Sequence, residues 1–121
     1  MELFYYRRLD VYKNARQLAI NIKEILQKFP QEERYALENQ LRRASTSIMF
    51  NIAEGFGRYS NKERIRFLDI ANGSAMEVSS ELELAEKFGY ITEEDLERFD
   101  ALILVIVRQI AKLRSTMSEK K

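Results

Sequence analysis

An all-α fold, an antiparallel up-down-up-down four-helix bundle, is what this sequence predicts, and three observations predict it. Apolar residues recur at steps of three and four in four successive segments. Helix breakers are scarce, with four glycines and one proline in 121 residues. The segments are joined by only a few residues each, and short connections make consecutive helices antiparallel neighbours. The predicted helices span residues 10–29, 31–58, 61–88 and 93–116. They form a single domain over 1–121, with 1–8 and 117–121 expected to be loose ends. A hydrophobic content of 45% and a charged content of 32% suit a globular chain long enough to bury a core.

In the first segment Val11, Ala15, Leu18, Ile22, Ile25 and Phe29 make one helical stripe. It stops at Phe29-Pro30, because the residue before a proline is pushed out of the helical region. Pro30 suits the first turn of the second helix, with Glu32 and Glu33 complementing the positive end of its dipole. That helix carries Leu37, Leu41, Ala44, Ile48 and Ile52, and ends near Arg58, where Gly55 and Gly57 are expected to weaken its last turn. Ser60-Asn61-Lys62-Glu63 fits a capping box that opens the third helix. Its seam is Leu68, Ala71, Ala75, Val78, Leu82 and Ala85, and Gly89 offers a left-handed C-cap. Thr92-Glu93-Glu94-Asp95 is a second capping box, followed by Leu96, Phe99, Ile103, Ile106, Ile110 and Leu113. In this last helix Leu102, Leu104, Val105 and Val107 cover much of the remaining circumference, which points to burial on a second side. Leu102, Leu104 and Val105 are therefore candidate subunit-interface residues.

Composition narrows function mainly by exclusion. There is no cysteine and no histidine, so disulfides, thiolate or imidazole metal sites, a thiol nucleophile and the commonest general base are all missing. The carboxylate-bridged di-metal sites of helical bundles need Glu-x-x-His pairs, which Glu54, Glu77 and Glu81 cannot supply. The run Ser45-Thr46-Ser47 has no lysine base beside it, and no Gly-rich loop follows a strand. Neither enzyme activity, nor a metal, nor a cofactor is expected. The N-terminus lacks a signal-peptide core and no apolar run approaches about 18 residues, so the expectation is a cytoplasmic protein without a membrane partner.

Charge is informative because it is segregated. Residues 1–66 hold thirteen Lys/Arg against eight Asp/Glu, residues 67–100 hold two against ten, and residues 101–121 hold five against one. Antiparallel helices gather the basic groups at one end: Arg7, Arg8, Arg58, Lys62, Arg64, Arg66, Lys112, Arg114, Lys120 and Lys121. The opposite end gathers Glu32, Glu33, Glu81, Glu83, Glu86 and the Glu93–Glu97 group. Helix dipoles account for the acids at residues 93–97 and the bases at 112 and 114. They do not account for Lys62, Arg64 and Arg66 at the start of a helix, where the dipole disfavours cations. A surface of this kind binds phosphates, with Tyr5, Tyr6 and Tyr59 available for stacking. Arg7, Arg8, Arg58, Lys62, Arg64 and Arg66 are the candidate RNA- or DNA-binding residues. A merely solvated charged face is the competing reading.

Small and polar residues crowd the stretch from Gln40 to Glu81. Ala44, Ser47 and Ile48 on the second helix and Ala71, Ser74 and Ala75 on the third lie on faces that antiparallel pairing brings together. Small side chains allow close backbone approach, and serine hydroxyls can bond back to the preceding turn. Arg43, Asn51, Glu54, Ser74 and Glu77 are expected to form a polar network or subunit contact that sets register.

The pattern LRRAS-SI—NIAEG-GR, followed by RFL-IA-GSA-E and GYIT, resembles the four-helix-bundle family encoded within intervening sequences of bacterial 23S rRNA genes, also called the S23 family. The similarity runs from about Leu9 to Arg114. It is carried by Phe29-Pro30, Glu33, the Gln40–Ala44 run, Ser47-Ile48, the Asn51–Gly55 run, Arg58, Phe67-Leu68, Ala71, Gly73-Ser74, Glu77 and Gly89-Tyr90, with Met49-Phe50 departing from the usual small-or-proline pair. The resemblance implies a homopentameric barrel of bundles with a central channel. It also implies kinship to the accessory protein of diversity-generating retroelements, which binds nucleic acid and a reverse transcriptase. The expected function is a non-enzymatic homo-oligomeric scaffold, probed against the alternative of a purely protein-binding adaptor.

Overall fold

The computed structural model describes residues 3–119, and among these there is no strand. Four α-helices run α1 Asp10–Ile25, α2 Leu37–Phe56, α3 Asn61–Lys87 and α4 Glu93–Glu119. Each helix packs on the next, and α1 closes the ring against α4. Side-chain bonds across the helix pairs give their directions. Asn14 donates to Gln109 at 3.0 Å and Lys28 to Asp95 at 3.2 Å, joining the start of α1 to the later part of α4 and the end of α1 to the start of α4. Ser47 and Ser74 meet at mid-helix, while Asn61 at the start of α3 reaches the Met117 carbonyl at the end of α4. All are antiparallel pairings.

The predicted seams are the core. Leu18, Ile22, Leu41, Ile48, Ile52, Leu68, Leu82, Ile106 and Ile110 are the largest fully buried side chains, and each lies on a stripe read from the sequence. Such burial contributes on the order of 1.5–3 kcal/mol per large aliphatic side chain.

The predicted caps also form. The Ser60 hydroxyl accepts the Glu63 N–H at 3.2 Å at the start of α3. At its other end, Gly89 has φ +82°, Tyr90 N–H bonds the Ala85 carbonyl and Gly89 N–H the Glu86 carbonyl, which is a Schellman closure. At the start of α4, Thr92 N–H donates to Asp95 Oδ2 at 2.9 Å and Asp95 N–H to Thr92 Oγ1 at 3.0 Å, a reciprocal box. The bond from the Thr92 backbone holds the buried Asp95 carboxyl below its ordinary pKa, and Lys28 adds to this.

Several boundaries differ from expectation. Helix one gives way after Ile25 to a 3-10 turn over Leu26–Lys28, which lets Phe29 turn inward against the Tyr90 ring at 5.3 Å. Residues 31–36 do not open α2. Pro30 instead precedes a 3-10 turn over Gln31–Glu33, and α2 begins at Leu37. The Glu33 carboxylate explains the delay: it accepts the Leu37 N–H at 3.3 Å and the Tyr90 hydroxyl at 2.7 Å, so the turn is anchored sideways to the α3–α4 loop. That bond to Glu33 pushes the Tyr90 phenol up to about 12. Within 1–8, where a loose end was expected, Tyr5–Arg8 form a 3-10 turn packed on α1 and α2, held by Tyr6 edge-on to Tyr12 at 4.9 Å and Tyr5 beside Phe56 at 6.5 Å. At the other end α4 continues past residue 116 and buries Met117, whereas Lys120 and Lys121 lie outside the described residues.

Candidate nucleic-acid interface

The basic end is built on a row of aromatic rings. Gly55 makes it possible: a Cβ there would stand 3.0 Å from Phe67 Cβ and 3.4 Å from the Arg64 carbonyl, so α2 and α3 approach to backbone contact just before their turn. Gly55 is thus buried packing in the last turn of α2, which ends at Phe56, two residues before the expected Arg58, with Gly57 as its C-cap. The close approach places Phe56 and Phe67 at the same end as the N-terminal 3-10 turn. Arg8 lies over Tyr5 at 5.2 Å and Arg7 over Phe4 at 5.0 Å. Arg64 lies over Phe56 at 6.0 Å, while Arg58 and Arg66 flank Phe67 at 4.8 and 5.2 Å. Arg64 Nε also donates to the Arg58 carbonyl at 2.9 Å, tying the helix turn together.

The candidate cations Arg7, Arg8, Arg58, Arg64 and Arg66 are therefore brought together, with their guanidinium planes held by ring contacts. Lys62 extends from the same turn, exposed and without an ion pair among the described residues. Among the described residues, carboxylates neutralise part of the group: Glu54 binds Arg58 at 2.9 Å and Glu63 approaches Arg66 at 3.6 Å. Arg114 is taken by Asp69 at 2.7 Å, a bond that raises its pKa further. Tyr59, at the tip of the α2–α3 turn, is fully exposed. Pre-positioned guanidinium groups beside exposed rings can bind phosphate oxygens and stack on bases.

The second candidate group separates into parts. Ser47 and Ser74 share a hydroxyl–hydroxyl bond at 2.8 Å, and Asn51 Nδ2 donates to the Ser47 carbonyl and hydroxyl at 2.8 and 3.0 Å. Ser45 and Thr46 bond back to the Arg42 carbonyl. Glu54 turns away to Arg58, and Arg43 and Glu77 instead line a groove between α2 and α3 with Gln40 and Glu81. The small floor of this groove, Ala44, Ser47 and Ser74, is what the small-residue pattern produces.

Sequence reading missed the most perturbed group of that groove. Glu81 Oε1 is buried with no hydrogen-bond partner, and burial, aided by the neighbouring Glu77 charge, raises its pKa from 4.5 to about 7. Between those values an unfolded chain has released the proton that the folded chain retains, so stability falls as pH rises through this window. Since Glu81 is only partly buried, the cost above pH 7 is about 1 kcal/mol after discounting for solvent. Glu81→Gln is expected to raise the melting temperature of dilute protein by about 3–5 °C at about pH 8 and to leave it unchanged at about pH 4. Equal effects at both pH values would contradict this.

On α4, Leu104 and Val105 are about half exposed, whereas Leu102 is half-buried and lines a depression with Asn21, Ile25 and Phe99. The proposed interface residues thus occupy two faces of the helix rather than one. No described helix is long and apolar enough to cross a membrane.

Comparison with known proteins agrees with this architecture. No curated protein matches the chain. Among solved structures it is similar to a protein of unknown function from the S23 ribosomal protein family of Bacteroides thetaiotaomicron, with a TM-score of 0.79 and 27% identity, over 86% of this chain and 97% of that one. The family model described as 23S rRNA-intervening sequence protein matches residues 7–112, and the chain belongs to that family.

Proposed function

We propose that the protein is a non-enzymatic, homo-oligomeric scaffold, pentameric and cytoplasmic, that binds RNA or DNA phosphates through the basic end of its bundle. The observation that carries the reading is the arginine–aromatic row, where five guanidinium groups converge on one end and, among the described residues, Glu54 and Glu63 are paired to two of them. Helix dipoles do not call for Lys62, Arg64 and Arg66 at the start of α3, so their placement is accounted for by an anionic ligand. Exposed Leu104 and Val105 favour self-association. A reverse transcriptase is a protein partner consistent with the resemblance described above.

The test is binding of the purified oligomer to labelled RNA and DNA at low and moderate salt, with mass measured by light scattering. Salt-sensitive binding by a pentamer is expected. A clean oligomer that binds neither nucleic acid at low salt would contradict the phosphate reading and favour a protein-binding adaptor.

A further inference from the structure

We propose that the chain assembles head to tail, the basic outer face of α1 in one copy seated on the acidic outer face of α3 in the next. This rests on the oligomeric reading above and names a contact surface separate from Leu104 and Val105 on α4. The two faces belong to opposite sides of the bundle, because α1 and α3 each pack on α2 and α4 and stand diagonally to one another.

On α1, Lys13, Arg16, Ile20 and Lys23 form one outward row at helical spacing, all exposed. Ile20 retains 45% of its accessible surface, and neither Lys13 nor Lys23 has an ion pair among the described residues. On α3 the outward face carries Ile70, Gly73, Glu77, Glu83 and Leu84, again all exposed, with Glu77 and Glu83 free of ion pairs among the described residues. The rows match in length: Lys13 to Lys23 and Gly73 to Glu83 each span ten residue steps of helix, about 15 Å. Each combines an aliphatic centre with charge predominantly of one sign, Glu24 on α1 and Lys87 just past Glu83 on α3 being the exposed exceptions, and the predominant signs are opposite.

Two further observations place a ligand on α3. Gly73 sits within a 27-residue helix, where glycine costs about 1 kcal/mol relative to alanine, yet a Cβ there would meet nothing within 4 Å. The single chain gives no reason for it; a neighbouring helix drawn close to the backbone does. At the edge of the same face, Glu81 keeps its Oε1 buried and unbonded, so its carboxyl gains a partner by turning outward to a lysine or arginine of the neighbour. A symmetric contact would set lysine on lysine or glutamate on glutamate. Pairing unlike faces avoids this, and such a heterologous contact closes into a ring when its rotation divides a full turn.

Reciprocal charge reversal tests the proposal by light scattering at micromolar concentration, with helicity checked by circular dichroism. Lys13→Glu with Lys23→Glu, and separately Glu77→Lys with Glu83→Lys, are each expected to weaken assembly about tenfold or more. The chain carrying all four reversals is expected to regain the wild-type mass. Gly73→Tyr, which has open space in the single chain, is expected to keep its helicity and lose assembly. Wild-type mass in either two-site variant or in Gly73→Tyr would overturn the α1–α3 surface while leaving the oligomeric reading intact. A wild-type protein that is itself monomeric would overturn both.

Discussion

Gly55→Leu is expected to be among the most disruptive single substitutions in the chain. Its new side chain would enter space already occupied, with the first carbon 3.0 Å from Phe67 Cβ and 3.4 Å from a backbone carbonyl that cannot turn aside. Overpacking of this kind costs about 1–3 kcal/mol and more where backbone must move. Here α2 and α3 would have to separate at the point that positions Phe56, Phe67, Arg58 and Arg64. The expected outcome of urea unfolding is a loss of about 3 kcal/mol, accompanied by weaker nucleic-acid binding. Gly73→Ala is the contrast: with open space at that position, it is expected to be neutral or stabilising by about 1 kcal/mol in the dissociated chain. A Gly55→Leu protein as stable as wild type would show that the close approach is not required.

Replacing Arg7, Arg8, Lys62 and Arg66 together by glutamine is expected to have the largest effect on binding. These side chains are exposed, and the ion pair of Arg66 to Glu63 is a long one at 3.6 Å, so the fold should be nearly unaffected. Four phosphate contacts give a salt slope of about −3 to −4, which corresponds to roughly a hundredfold weakening between about 50 and about 200 mM salt. The variant is expected to lose most of that slope and to bind at least about a hundredfold more weakly at low salt. Unchanged affinity, measured by fluorescence anisotropy, would remove these residues from the interface.

The architecture was legible because it rests on local periodicity. The stripes from Val11 to Ile25 and from Leu68 to Ala85 are buried as read, and the Ser60, Thr92 and Gly89 signals act where they stand. The departures come from contacts that a one-dimensional reading does not contain. Residues 31–36 have ordinary helical composition, but the Glu33 carboxylate binds a tyrosine 57 residues away. Gly55 resembles a helix breaker until Phe67 is brought beside it. The basic end was visible as charge segregation, yet its organisation depends on which ring lies under which guanidinium. Glu81 was legible only as one more acid, because its perturbation arises from burial beside α2 and from Glu77 one turn away.

Nucleic acid crosslinked to the wild-type oligomer by ultraviolet light, with the modified peptides mapped by mass spectrometry, tests the location of binding most directly. Tyr59, Tyr5 and Phe4 are exposed within the arginine row and are the expected sites of attachment. Crosslinks are expected in the segments 4–8 and 56–67. Crosslinks confined to the acidic end, around Phe29, Phe88 and Tyr90, would contradict that location.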